Sequence, residues 1–160
     1  MKKTTVCLTG ATGHVGYAIL KELQKHEDKE IRILIRKDSD IFDGLRCEKR
    51  KGDITDYESL IRAFEGCDIV YHVAGCVEIK PGNEDFVYNV NVNGTRNVIR
   101  ACRKMGVKKL VYMSSVDTYV PLPDDQVMTE VYHYDPDALE GAYAKTKAEA
   151  TQMVLDANGH

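Results

Sequence analysis

The chain has 160 residues, 43% of them hydrophobic and 29% charged, with no tryptophan; this is the profile of one ordinary globular domain and excludes a collagenous, disordered or membrane-spanning chain. Lys plus Arg is 22 against 25 Asp plus Glu, a net charge of -3, which gives no electrostatic reason to expect nucleic acid as a partner. Cys7, Cys47, Cys67, Cys76 and Cys102 form no Cys-x-x-Cys pair, and several sit in apolar runs, where they read as small buried hydrophobes of a reducing compartment. The opening Met1-Lys2-Lys3 resembles a signal-peptide n-region, but Thr4, Thr5, Thr9, Gly10 and Gly13 interrupt any apolar segment behind it, and nowhere do 18 apolar residues run together. A cytoplasmic protein with no membrane partner is expected.

Short apolar runs alternate with helix-period segments, the pattern of a parallel sheet covered by helices. The predicted elements are a strand over Thr4 to Thr9, a helix over His14 to Lys25 with Val15, Ile19, Leu20 and Leu23 on one face, and a strand over Ile31 to Ile35. A third strand falls near Arg46 to Lys51; it is almost wholly polar and so belongs at a sheet edge. Thr55-Asp56-Tyr57-Glu58 has the spacing of a capping box and opens a helix through Phe64, closed by Gly66. A fourth strand covers Asp68 to Val73, a long helix Glu84 to Met105 and a fifth strand Lys109 to Met113. Pro121, Pro123 and Pro136 punctuate a polar loop between Ser115 and Asp137, longer than a connection needs and so a candidate binding loop. A last helix runs from Leu139 to Leu155.

The strongest chemical signal lies where the first strand meets the first helix, at Thr9-Gly10-Ala11-Thr12-Gly13-His14-Val15-Gly16. One glycine there permits a tight turn, one lets the backbone approach a pyrophosphate and one allows close helix–strand packing, while the helix N-terminus supplies free amides and a positive dipole end. The usual NAD signature, an acidic residue about 20 positions on, is replaced by Arg36 and Lys37. A guanidinium binds a 2′-phosphate that a carboxylate would repel, so NADP is expected over NAD. Asp38 and Asp40 follow closely and would restore NAD preference if the turn is one residue tighter.

Further along stand Gly52-Asp53-Ile54, His72-Val73-Ala74-Gly75, Asn91-Val92-Asn93-Gly94-Thr95, Ser114-Ser115 and Tyr143-Ala144-Lys145-Thr146-Lys147. With the glycine turn these make six motifs in one order, and in that order the chain resembles the extended short-chain dehydrogenase/reductase family, in the branch that includes epimerase/dehydratases, dihydroflavonol-reductase-like enzymes and 3-beta-hydroxysteroid dehydrogenases. The resemblance implies a Rossmann-type doubly wound α/β fold of about five parallel strands. It implies that Asp53 and Ile54 meet the adenine, that Val73, Ala74 and Gly75 pass under the ribose, and that a homodimer forms through the helices Glu84 to Met105 and Leu139 to Leu155. Members of the family usually continue into a sixth strand and a C-terminal substrate-binding region. Residues 1–160 are therefore expected to be the dinucleotide-binding part of a longer reductase, with its fifth strand at an edge.

Hydride transfer between a nicotinamide and a carbonyl needs a proton donor to the oxygen, and a tyrosine with an ordinary pKa near 10 is a sluggish relay. Lys147, one turn from Tyr143 on the same helix face, favours the phenolate and can also bond the cofactor ribose. Tyr17 and Lys21 have the same spacing but lie beside the phosphate turn, where a partly exposed pair is the simpler reading. Ser115 offers a second hydrogen bond to the substrate oxygen, with Ser114 as its alternative because strand alternation points only one of them at the site. Asn91 is expected to hold a helix distortion or a water of a proton relay. The histidines at 14, 26, 72, 133 and 160 lack metal-ligand spacing, and His72 reads as a core residue. Arg96, Arg100, Arg103 and Lys104 read as a solvated helix face. Three functions remain open: an NAD(P)-dependent oxidoreductase acting on a ketone, aldehyde or secondary alcohol, a sugar-nucleotide epimerase or dehydratase using the same residues, and a non-enzymatic NADP(H) sensor.

Overall fold

A computed structural model describes residues 3–78, 82–123 and 125–159; Met1-Lys2 of the signal-like start, Asp124 of the long loop and His160 lie outside the described residues. The strands are β1 (Thr4–Thr9), β2 (Lys29–Ile35), β3 (Glu48–Lys51), β4 (Ile69–His72) and β5 (Lys109–Tyr112). The helices are α1 (His14–Leu23), α2 (Tyr57–Phe64), α3 (Glu84–Tyr88), α4 (Gly94–Met105) and α5 (Ala142–Asp156). The chain divides into two compact units, Met1–Gly75 with Asn97–Met113, and Cys76–Arg96 with Ser114–His160.

The first unit holds the sheet, five parallel strands in the order β3-β2-β1-β4-β5, the doubly wound Rossmann-type arrangement in which the chain returns past β1 and leaves a crevice at the strand ends. Central β1 is buried from Val6 to Thr9, as a strand covered on both faces must be. Val6, Leu8, Leu20, Ile31, Ile33, Ile35 and Phe42 form the core against it. Val15, placed by periodicity on the core face of α1, is 44% exposed: it sits in the first turn, beyond the part of the helix that the sheet covers.

Edge strand β3 is exposed at all four residues. Its Glu48 meets Arg32 of β2 at 2.7 Å, and the same guanidinium donates to the carbonyls of Ala63 and Glu65 at 2.7 and 2.8 Å, satisfying acceptors that the end of α2 leaves open. The capping box expected at Thr55 does not form. Asp56 is the cap, its Oδ1 accepting from the amides of Glu58 and Ser59 at 3.1 and 3.3 Å, while Thr55 bonds back to Asp53. Aspartate one position later starts the helix one residue on, and a carboxylate there also meets the positive helix end. All five cysteines are free thiols; burial pushes Cys102 up to about 12, so it packs as an apolar group. Arg100 and Arg103 are exposed, Arg100 stacking 4.7 Å above the Tyr57 ring.

In the second unit the long helix expected over Glu84 to Met105 is interrupted. Asn89–Asn93 winds as a π-helix between α3 and α4, a local widening that frequently marks a functional position. The last helix begins at Ala142 rather than Leu139. Pro136–Ala138 is a separate 3-10 turn capped by Asp135, and Gly141, at φ +80°, cannot extend a right-handed helix backwards. No helix among the described residues is long and apolar enough to cross a membrane.

Candidate functional site

The first unit carries the glycine turn. Gly10 has φ +77°, and a Cβ on it would lie 2.6 Å from the Ala74 amide nitrogen; a Cβ on Gly16 would lie 2.1 Å from the Gly10 carbonyl oxygen. The turn therefore closes only with glycine at both places, one for its backbone angle and both for the close approach. The Gly13 amide donates to the Gly10 carbonyl at 3.0 Å, and Gly13 caps α1 with no side-chain acceptor and no acidic residue in the first turn. Thr12, Gly13, His14 and Val15 are exposed, whereas Ala11 is buried. The result is an uncapped helix end at the carboxyl edge of the central strand, open to an anion.

Two buried side chains brace that turn. Thr9 Oγ1 lies 2.9 Å from His72 Nδ1 and accepts the Ala74 amide at 3.2 Å, tying the end of β1 to the segment that carries Val73, Ala74 and Gly75. His72 is fully buried, as a core residue should be. The Thr9 hydroxyl was missed by sequence reading; its position opposite His72 depends on the β1–β4 register, which no local pattern contains.

Past β2, Arg36 and Lys37 are exposed and make no ion pair among the described residues, whereas Asp38 is held by Lys51 at 2.7 Å. That bond keeps the Asp38 carboxyl below its usual range. The nearest acid is thus engaged and the two bases are available. Asp53 Oδ1 accepts from both the amide and the hydroxyl of Thr55, at 2.9 and 2.8 Å, and next to it Ile54 is buried, with its carbonyl accepting from Asn97.

The second unit gathers the remaining candidates. Tyr143 is half-buried in the first turn of α5 and lines a cavity of about 760 Å³ together with Val116, Asp117, Tyr119, Met128 and Leu139 among others. Four of those, Val116, Asp117, Tyr119 and Met128, come from the long loop singled out by its length. One turn along α5, Lys147 is 6% exposed, and burial draws its ammonium down to about 8.

Ser115 caps the 3-10 turn Val116–Thr118: its hydroxyl accepts the Asp117 amide at 3.3 Å and donates to the Asp117 carboxylate at 3.2 Å. Ser114 turns the other way, 2.7 Å from Thr151 of α5. Asn91, in the π segment, accepts the Cys76 amide at 2.8 Å and donates to the Cys76 carbonyl at 3.0 Å and to Thr146 Oγ1 at 3.1 Å. Those three bonds satisfy the buried carboxamide within the π segment. Tyr17 and Lys21 lie on α1 in the other unit, Lys21 exposed.

Residues 7–160 match the family described as the 3-beta hydroxysteroid dehydrogenase/isomerase family. The chain is 34% identical over 153 residues to sterol demethylase protein B of Methylococcus capsulatus, covering 94% of this chain and 46% of that protein. It is 34% identical over 151 residues to 2-alkyl-3-oxoalkanoate reductase of Shewanella oneidensis, covering 94% and 38%. The crystal structure of gox2253 superposes with a TM-score of 0.82 at 32% identity, over 96% of this chain and 47% of that one. The chain thus spans about half the length, or less, of the relatives it matches.

Proposed function

The chain belongs to the 3-beta hydroxysteroid dehydrogenase/isomerase family, and from that premise we propose that residues 1–160 are the nicotinamide-dinucleotide-binding domain of an oxidoreductase passing a hydride between NADP(H) and a ketone, aldehyde or secondary alcohol. The observation that carries the proposal is the burial of Lys147 one helical turn from a cavity-lining tyrosine. A buried ammonium is costly, and such groups cluster at working sites. A nucleotide sensor has no use for it.

In this reading the amides over Gly10, Ala11, Thr12, Gly13, His14, Val15 and Gly16 hold the diphosphate, Asp53, Ile54, Val73, Ala74 and Gly75 border the adenosine, and Arg36 with Lys37 take the 2′-phosphate. The bound cofactor supplies the hydride. Tyr143 gives its phenolic proton to the carbonyl oxygen in reduction and takes it back in oxidation, with Lys147 one turn along the same helix placed to hold the cofactor ribose. Ser115 donates a second hydrogen bond to the same oxygen; to do so its hydroxyl leaves Asp117, and an exposed bond of 3.2 Å is easily exchanged. Asn91 acts from behind by bracing α5. The described cavity lining carries Glu78, Glu84, Asp117 and Glu140 and no Lys, Arg or His. A nucleoside-diphosphate sugar would meet like charge there, which favours the reductase over the epimerase.

The test is titration with NADPH and NADH, followed by Arg36→Ala. NADPH is expected to bind at least about tenfold more tightly, and the substitution to remove most of that difference, the loss of one charge-assisted phosphate contact. Equal affinity of the unsubstituted protein for the two dinucleotides would refute the 2′-phosphate assignment.

A further inference from the structure

The face of α5 that carries Tyr143 and Lys147 is fastened at both margins. At about 100° per residue the two lie about 40° apart around the helix; Thr146 falls about 60° to one side of Tyr143 and Thr151 about 40° beyond Lys147 on the other. Each threonine is tied twice. Thr146 Oγ1 donates to the carbonyls of Ala142 and Tyr143, at 2.7 and 3.0 Å, and accepts from Asn91 Nδ2 at 3.1 Å. Thr151 Oγ1 donates to the Lys147 carbonyl at 2.7 Å, so its bond with Ser114, also 2.7 Å, takes the proton from the serine. Both threonines are buried, where a lost partner is not replaced by water.

We propose that Ser114 is a positioning residue, which holds Thr151 and, opposite the bond of Asn91 to Thr146, thereby fixes the roll of α5 that buries Lys147 and turns Tyr143 into its cavity. The helix cannot rotate in either direction without breaking one of the two fastenings. Ser114, an alternative catalytic donor by sequence, has its proton committed to Thr151. The inference rests on the reading of Tyr143 and Lys147 as the reacting pair, and it gives Ser114 and Thr151 work that this reading does not contain.

The measurement is the titration of Lys147 followed by the 13Cε resonance in lysine-labelled full chain, the signal identified by its absence in Lys147→Met. Ser114→Ala and Thr151→Val are expected to raise the midpoint from about 8 toward 10.5, by at least about half a pH unit, as the helix rolls and the ammonium gains water. Thr151→Ser keeps the hydroxyl and is expected to titrate as the unsubstituted protein does. Should Thr151→Val fail to fold, Ser114→Ala, which removes only the outer partner, decides alone. Folded variants whose Lys147 midpoint does not move would overturn the proposal, even with a lowered Tm. A midpoint that moves as expected in a protein that binds neither NADPH nor NADH would leave the fastening in place and sink the functional reading instead.

Discussion

Gly16→Ala is expected to abolish dinucleotide binding, weakening NADPH by at least about 100-fold, and to destabilise the fold by about 2–4 kcal/mol. The added methyl would sit 2.1 Å from the Gly10 carbonyl oxygen, 2.7 Å from the Gly10 carbonyl carbon and 3.1 Å from Ala11 Cα. All three are backbone atoms, so no side chain can swing aside. Relief requires α1 to back away from the turn, and the amides at its N-terminus then no longer converge on one point. Gly13→Ala is the internal control for stability alone, because in the ligand-free fold its Cβ meets only the Gly10 carbonyl oxygen, at 3.4 Å. Urea denaturation of the two variants isolates the steric cost of the Gly16 methyl, and NADPH fluorescence titration of Gly16→Ala reads its effect on binding. A Gly16→Ala protein that binds NADPH within about threefold of the parent would show that the turn does not grip the diphosphate.

Lys147→Met should stabilise the ligand-free protein at neutral pH while weakening NADPH binding. Burial holds the ammonium at about 8, against 10.5 for an ordinary lysine. Between those two values the unfolded chain carries a proton that the folded chain has released, so stability rises with pH across that window. Below about 8 both states are charged and the full burial cost is present. At about 1.36 kcal/mol per pH unit the cost is about 3 kcal/mol. The unfolding free energy of Lys147→Met is therefore expected to exceed that of the parent by about 1–3 kcal/mol at pH 7, with the gap closing toward pH 10.5. Urea midpoints at several pH values check this. A variant less stable than the parent at pH 7 would mean that the lysine contributes to the fold more than it costs, and would remove the argument that it is kept for chemistry.

Much of the first unit could be read directly from the sequence because its signals are local. A run such as Ile31-Arg32-Ile33-Leu34-Ile35 is a buried strand wherever it occurs, Glu48 to Lys51 is too charged for anything but an edge, and a Gly-x-x-Gly-x-x-Gly turn between a strand and a helix has one geometry. The misplacements have equally physical origins. Asp56 and Thr55 are both good caps, and only the bond from Thr55 to Asp53 decides between them. The carboxamide of Asn91, in the π segment, is satisfied by Cys76 and Thr146, 15 and 55 residues away. A helical period within Glu84 to Met105 cannot reveal partners at that distance. The start of α5 was misjudged for a different reason. Leu139 is buried and apolar, as a helix residue would be, but it packs from an extended stretch before Gly141. Sequence order put Ser115 after the fifth strand and Tyr143 near the start of the last helix; the 3-10 turn that Ser115 caps, and the different partners of the Ser114 and Ser115 hydroxyls, needed the three-dimensional arrangement.

The most direct measurement is an amide 15N–1H titration of the chain with NADPH. The account predicts the largest shifts at the amides of residues 10–16, with a second group at Arg36 and Lys37 that NADH does not reproduce. Saturating NADPH that leaves the glycine-turn amides where they were, while shifting others, would contradict it.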